Sequence, residues 1–388
     1  MITVCFLFNH YLAHQVPHAA PYAFELSRMY DRFDCIIACS DQSVMEFAMQ
    51  ISSLYPGHRC RYMLLPVPWY YRMVDPVLSR WVFGRKKVVL RHNLEFFRGM
   101  DMIVAPERNF IQLKTRFGLD KPLLIHCRHG AGDRAAGFDK RLRLCDLVLL
   151  PGQKIVDRLN ALGYLREGHY VVVGYPKFEV VQGLNRGERR FFDNDNPVVL
   201  YNPHFDQSVS SWGGMGLEVM EFFRRHQEYN LIFAPHVIMF RRRWRHRARL
   251  PRKYFNVPNI HVDLGSMASM DMTYALAADI YLGDVSSQVY EFLLEPRPCI
   301  FLNAHHVERR NDPFYYHWNL GQVVDSVPAG LEDALAHAHD RQKDYEERQK
   351  KAFEYTFYNE PDSTAAQRGA RAIAEFCLGQ SRLRAFKA

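Results

Sequence analysis

The sequence has little that would anchor it in a membrane, staple it or leave it unfolded. Its eight cysteines include no Cys-x-x-Cys pair, and most lie inside apolar runs. That is the pattern of buried free thiols in a reducing compartment, not of a disulfide frame or a zinc site. No apolar stretch approaches the roughly 18 residues that a membrane span needs, so membrane contact is expected to be peripheral. The first residues, MITVCFLFNHYLAH, have no basic lead and only a short apolar run before Asn9. They do not read as a signal peptide, and the expected location is the cytoplasm. Repeats and low-complexity tracts are missing. With 48% apolar and 24% charged residues, the chain is neither disordered nor collagen-like. Its 388 residues can bury two large cores without staples.

Acid is missing from one segment in particular. Residues 241–253, RRRWRHRARLPRK, hold eight Lys/Arg and no Asp or Glu, and they account for the whole net charge of +8. Arg241, Arg242, Arg243, Arg245 and Arg247 surround Trp244. A solvated helix face or loop has this composition. So does a surface for polyanions: acidic lipid head groups, a phosphate-rich polymer or RNA.

Short apolar runs alternate with amphipathic stretches. The pattern predicts strands at 3–8, 34–38, 63–67, 102–105, 123–127, 147–150 and 170–173, with helices such as 20–30 and 154–162 between them. Continuous apolar strands separated by helix-length segments argue for a parallel sheet covered on both faces. Residues 174–197 are polar and rich in turn formers, and read as a connection. The alternation then restarts, with strands at 198–201, 230–234, 259–262, 280–282 and 299–302 and helices at 215–228, 270–278 and 287–294. The expected fold is α/β, with two doubly wound domains. These are residues 1–175 and 198–360, joined by 176–197 and followed by a charged helical tail, 361–388, placed against the first domain.

In such sheets ligands bind beyond the carboxyl ends of the strands, so polar clusters directly after apolar runs are the site candidates. After LLIHC comes Arg128-His129-Gly130-Ala131-Gly132-Asp133. Its glycines admit a ligand to the backbone, and its histidine can serve as a general base at neutral pH. A Gly-rich turn with a packed histidine would read the same way. Pro235-His236 follows LIF and fixes an imidazole at a strand end. Asp284, Ser286 and Ser287 follow IYL and open a helix, which makes them helix caps or an anion site; Asp284 suits the orientation of the turn or of a ligand hydroxyl. Ser266 and Asp271 belong to a polar loop one βα unit earlier, and Tyr201 and His204 follow VVL. His10, His14 and His18 are spaced by four, but Pro17 and Pro21 argue for a loop, and no carboxylate or cysteine completes a metal site.

The run DMTYALAADIYLGDVSSQVYEFLLEPRPCIFLN resembles the C-terminal signature of the CDP-glycerol glycerophosphotransferases, the teichoic-acid-type polyol phosphate transferases. In that family a strand ends in Asp-x-Ser-Ser, followed by a helix and then Pro-x-Ile-Phe. Here these are Asp284, Ser286, Ser287 and Pro298 to Phe301. Gly174-Tyr175-Pro176-Lys177, Tyr201-x-Pro203, Pro235-His236 and His129-Gly130 resemble further family motifs, in order, over residues 120–305. The chain departs from the family at Ala131-Gly132-Asp133 and at His204-Phe205, where the family usually carries Thr and a basic residue. A sugar or another polyol phosphate therefore stands beside glycerol phosphate as the transferred group.

The resemblance implies a GT-B fold: two Rossmann-like domains facing a central cleft, the nucleotide held by the second and the acceptor by the first. It implies His129 as the base and His236, Ser286 and Ser287 on the donor diphosphate. Gly130, Tyr201, His204, Ser266, Asp271 and Asp284 are expected around the donor, and His10 and His14 at the acceptor. The nucleotide leaving group is anionic and can be stabilised without metal, so no cofactor is expected beyond a CDP-linked donor substrate. The implied activity moves the polyol phosphate to a hydroxyl of a cell-envelope polysaccharide or lipid-linked acceptor, at an anionic membrane surface, with no specific nucleic acid as partner. The alternatives are a nucleotide-sugar 2-epimerase of the same architecture and a non-catalytic basic polymer-binding protein.

Overall fold

The computed structural model describes residues 1–10, 12–78, 84–133, 137–184, 190–240, 248–284, 286–308 and 312–385. The basic cluster Arg241, Arg242, Arg243, Trp244, Arg245 and Arg247 lies outside them.

Runs such as MIVA, LVLL, NLIF, IYLG and CIFL are buried at every residue. A strand with no polar face must be covered on both sides, which only helices crossing over a parallel sheet provide. Seven strands form the first sheet: β1 (Ile2–Phe8), β2 (Phe33–Cys39), β3 (Arg61–Leu64), β4 (Met102–Ala105), β5 (Leu123–Cys127), β6 (Leu147–Leu150) and β7 (Tyr170–Val172). Their order is β3-β2-β1-β4-β5-β6-β7, all parallel. Six form the second: β8 (Val198–Asn202), β9 (Asn230–Phe233), β10 (Ile260–Val262), β11 (Ile280–Gly283), β12 (Cys299–Leu302) and β13 (Gln322–Val324). Their order is β10-β9-β8-β11-β12-β13, again all parallel. Register brings strand ends level: Ala105 lies opposite His126, Tyr201 opposite Phe233 and Gly283 opposite Asn202.

Several boundaries differ from expectation. β3 ends at Leu64 instead of running to Val67, because Pro66 and Pro68 supply no ladder N–H. The helix expected at 215–228 is Leu217–Arg225, entered through a wide turn at Trp212–Gly216. The helix expected at 270–278 is Thr273–Ala277, and Met272 before it is left-handed at φ 65°. β13 is three residues long and begins with glutamine, too short and too polar for a periodicity signal. The segment expected as a plain connection contains the helix Lys177–Gly183.

The chain forms two compact units. Unit 1 is Met1–His129, Asp139–Leu184 and Glu354–Ala388; unit 2 is Gly130–Phe138 and Asn185–Phe353. These ranges differ from the contiguous division expected at 175 and 198. Residues 130–138 belong with the second sheet, and the helix Lys177–Gly183 with the first. The closing helix Ala365–Ala385 packs in unit 1 on the helix Ala20–Met29. A Cβ at Gly369 would come within 2.2 Å of Tyr22, so only glycine allows this approach. Ala366, Ala370 and Ile373 are buried beside it. All eight cysteines are free thiols, Cys60 half-buried and the others buried. Among the described residues no helix is long and apolar enough to cross a membrane.

Candidate functional site

In unit 1 three neighbouring strands end side by side. β1 runs into Asn9 and His10, β4 into Pro106 and Glu107, and β5 into Arg128 and His129. The loop after β1 tightens into the 3-10 helix Ala13–His18, with Pro17 inside it. The prolines do not give an open loop, because a short 3-10 turn tolerates them where a long α-helix does not. This winding brings the N-terminal histidines to His129. The rings of His14 and His18 each lie 6.2 Å from its ring, and His10 meets His14 edge-on at 4.6 Å.

Glu107 and Lys86 complete the cluster and were not singled out from the sequence. Lys86 Nζ is 2.5 Å from Glu107 Oε2, and His10 Nε2 is 3.8 Å from the same oxygen. Burial pushes the Glu107 carboxyl up, but Lys86, His10 and His129 together hold it at about 2. It is an anion throughout the neutral range. Burial, aided by Lys86, pushes His10 down to about 3. Applying the strand-end rule to MIVA would have found Glu107; nothing local points to Lys86, which arrives from a separate helix.

His129 Nδ1 lies 2.8 Å from the Pro106 carbonyl oxygen. A carbonyl can only accept, so Nδ1 carries the proton and Nε2 keeps the lone pair. The Gln15 amide nitrogen stands 3.4 Å from Nε2. Burial lowers the His129 pKa, while Glu107 and the Pro106 carbonyl oppose it. The result is a neutral imidazole with its basic nitrogen defined, which is what a general base requires. Tyr175, of the Gly174-Tyr175-Pro176-Lys177 motif, donates its hydroxyl to the His129 carbonyl at 3.5 Å and packs on His18 at 4.8 Å.

Unit 2 repeats the arrangement with different chemistry. β8, β9 and β11 are neighbours, and beyond their ends lie His204, His236, Asp284, Ser286 and Ser287. The His204 and His236 rings are 5.4 Å apart, and Phe205 packs on both at 4.5 Å. The Asp206 N–H donates to His204 Nδ1 at 3.0 Å, and the Ile238 N–H to His236 Nδ1 at 3.3 Å. With Nδ1 accepting, each neutral ring carries its proton on Nε2. His236 is therefore a hydrogen-bond donor at the nitrogen where His129 is a base. Its backbone is fixed by a bond from its N–H to the Pro203 carbonyl at 3.0 Å.

Asp284 is fully buried. Its Oδ2 accepts the backbone N–H groups of His204 and Ser211, both at 2.9 Å. Burial raises its carboxyl to about 7 against those bonds. As placed it holds the loop carrying His204 and meets no open space. Tyr201 is equally buried, its hydroxyl 2.8 Å from Ser211 Oγ. Ser286 Oγ accepts from the Gln288 N–H at 3.2 Å and donates to Asn202 Oδ1 at 3.4 Å. Ser266 caps the short turn at Met267–Ser269 and donates to Asp263, while Asp271 accepts from the Thr273 N–H and hydroxyl. Asp263 is the hub of that loop: it gathers Ser266, Ser269 and Tyr274, and no pattern in the sequence marked it. Tyr201, Asp271 and Asp284 thus brace this face from within, whereas Ser266 is exposed on its loop.

The glycine cluster splits. A Cβ on Gly130 would meet nothing within 4 Å, whereas one on Gly132 would lie 2.9 Å from Ser287 Cβ. Gly132 seats this stretch against the Ser287 turn. Asp133 next to it accepts the Tyr290 hydroxyl at 2.6 Å and His317 Nδ1 at 3.2 Å, all buried. These contacts explain why Gly130–Phe138 belongs with unit 2.

A family model described as CDP-Glycerol:Poly(glycerophosphate) glycerophosphotransferase matches residues 96–375. No curated protein matches the chain. Among solved structures, the wall teichoic acid polymerase TagF aligns with a TM-score of 0.61 at 14% identity, over 99% of this chain and 89% of that one. The UDP complex of MnaA from S. aureus aligns with a TM-score of 0.58 at 12% identity, over 96% and 95%. A UDP-N-acetylglucosamine 2-epimerase aligns with a TM-score of 0.55 at 12% identity, over 98% and 96%. The structural likenesses establish the GT-B fold common to transferases and epimerases. The family match spans more than half of the sequence, so the chain belongs to the CDP-glycerol:poly(glycerophosphate) glycerophosphotransferase family.

Proposed function

We propose that the chain transfers glycerol phosphate from CDP-glycerol to a hydroxyl of a glycan or lipid-linked acceptor, with His129 as general base and His236 on the donor diphosphate. The acceptor hydroxyl attacks the phosphorus that bears glycerol, and its proton passes to His129 Nε2. The new O–P bond forms as the bond to the bridging oxygen breaks, and CMP leaves. The departing oxygen gains negative charge, which the His236 Nε2–H can meet with a hydrogen bond that strengthens in the transition state. The Ser286 and Ser287 hydroxyls are proposed on the same phosphates; for Ser286 this means exchanging its long bond to Asn202 for one to the ligand. His10 and His14 are assigned to the acceptor, and Gly130 offers backbone with no side chain in the way.

The observation that carries this reading is the pair of opposite tautomers: His129 Nδ1 bonded to a carbonyl, His236 Nδ1 bonded to an N–H. Acid–base transfer needs one of each, whereas an epimerase needs a pair of carboxylates for proton removal and return, and Glu107 in the His129 cluster is a single one, paired with Lys86.

CDP-glycerol is expected to raise the melting temperature of the full chain, because a ligand of the native state stabilises it. Release of CMP in the presence of an acceptor glycan is expected to fall about 10²-fold or more in His129→Ala and in His236→Ala. Because burial lowers the His129 pKa, its base form persists below the ordinary histidine value of 6.5, so kcat/KM is expected to stay level below that pH. Normal CMP release in both variants, or NMR-detected epimerisation of UDP-sugars by the wild type, would overturn the assignment.

The basic segment at residues 241–253 is proposed as the seat for an anionic surface, lipid head groups or the growing polymer.

A further inference from the structure

A cavity of about 410 Å³ opens in unit 1 beyond the carboxyl ends of β2 and β3. Its size is that of a small-molecule site. It shares no lining residue with the histidine cluster yet stands next to it in the chain. Arg85 lines the cavity, and Lys86, the following residue, pairs with Glu107. The helix Arg85–His92 therefore serves both places with its first two side chains.

The chemistry of the lining is specific. Arg85 Nη1 lies 3.0 Å from Asp41 Oδ2 and 3.6 Å from Asp75 Oδ2, and its other terminal nitrogen donates to the Ser40 carbonyl. Arg72 adds a second, exposed guanidinium at the rim. Two carboxylates and two guanidinia sum to no net charge. An anion would need an excess of cations, and a metal ion would need carboxylates not already committed to arginine. A neutral, hydroxyl-rich ligand suits the set, since its hydroxyls can donate to Asp41 and Asp75 and accept from Arg72, Arg85 and the Gln42 amide.

The rest of the lining is apolar: Leu64, Leu65, Pro66 and Val67. The Leu65 N–H bonds to the Cys39 carbonyl at 2.8 Å, and the buried Asn93 amide donates to the Pro66 carbonyl at 3.0 Å. A lining that combines charged and apolar residues matches a pyranose or polyol, which has hydroxyls on its edge and C–H groups on its face. A wall held before binding lowers the ordering cost.

We propose that this cavity is a carbohydrate subsite that holds a neutral sugar or polyol unit beside the His129 cluster. That the sugar is a non-reacting part of the acceptor rests on the transferase reading above; the sugar site itself does not.

The test is calorimetric titration of the full chain with cellobiose, lactose and chitobiose, with sn-glycerol 3-phosphate as the anionic comparison and CDP-glycerol in parallel. At least one disaccharide is expected to bind saturably. Its affinity is expected to fall about tenfold in Asp75→Asn and in Arg72→Ala, because each removes a charged hydrogen-bond partner of the sugar hydroxyls. CDP-glycerol affinity and melting temperature are expected to be unchanged in both variants. No binding by any disaccharide, or equal binding by Asp75→Asn, would refute the subsite. Binding of sn-glycerol 3-phosphate that Arg72→Ala abolishes would assign the cavity to phosphate and refute it too. Sugar binding in a chain that does not bind CDP-glycerol would uphold the sugar site and count against the transferase reading alone.

Discussion

His129 and His236 are one residue type in two tautomers, decided by one atom each. A carbonyl at 2.8 Å puts the proton of His129 on Nδ1, and a backbone N–H at 3.3 Å puts that of His236 on Nε2. Asp284 is the third residue whose state its neighbours decide. Its carboxyl is held at about 7 against an ordinary 3.8 because burial outweighs the Ser211 hydroxyl and two backbone N–H bonds. Between those values the unfolded chain ionises this group and the native chain does not. Ionisation therefore favours unfolding, by at most about 1.4 kcal/mol per pH unit, as pH rises from 3.8 towards 7. Asp284→Asn cannot ionise, and its amide oxygen can accept the same two N–H groups. The melting temperature of Asp284→Asn relative to wild type is expected to climb from pH 4.5 to 7 and then level off. Parallel pH–melting curves for the two proteins would count against a protonated buried acid.

The two glycines of the stretch from Gly130 to Asp133 differ. At Gly132 a Cβ would lie 2.9 Å from Ser287 Cβ and 3.2 Å from its backbone nitrogen, so the Ser287 turn has to move. Gly132→Ala is expected to cost about 1–3 kcal/mol of stability, the usual penalty of overpacking, and to raise the KM for CDP-glycerol through the displaced turn. Gly130→Ala meets open space and is expected to leave the melting temperature nearly unchanged. Equal effects of the two substitutions in thermal melts and donor kinetics would remove the proposed link between this stretch and the donor turn. Asp133, Tyr290 and His317 fix the same stretch from its far end, through bonds that only the folded unit assembles.

Over the whole molecule, charge is unevenly spread. The excess of +8 resides in residues 241–253, and the rest of the chain is balanced. Such a segment binds by long-range attraction that salt screens over about 10 Å at 0.1 M. Replacing Arg241, Arg242, Arg243, Arg245 and Arg247 with glutamine is expected to abolish sedimentation with anionic phospholipid vesicles at low salt. The wild type is expected to lose it progressively as salt rises. Unchanged, salt-independent sedimentation of the variant would place membrane contact elsewhere on the protein.

Much of the architecture was legible from local pattern. The strands at 102–105, 123–127, 147–150 and 299–302 were read residue for residue, because burial on both faces is written into a run of four or five apolar residues. The strand-end rule pointed to His129, His204 and His236 for the same reason. β3 and β13 sat at sheet edges with mixed exposure, and their limits were misplaced or missed. What sequence could not decide is everything that depends on a distant partner. The tautomer of His129 is set from 23 residues away, and Asp284 closes a bond across 80 residues. Lys86 reaches Glu107, Arg85 reaches Asp41 and Asp75, and Gly369 admits Tyr22, each across an element boundary. Amphipathic period and apolar run length determined which segments become strands and helices. Protonation, cavity chemistry and the membership of residues 130–138 were decided only when folding brought separate segments within hydrogen-bonding distance.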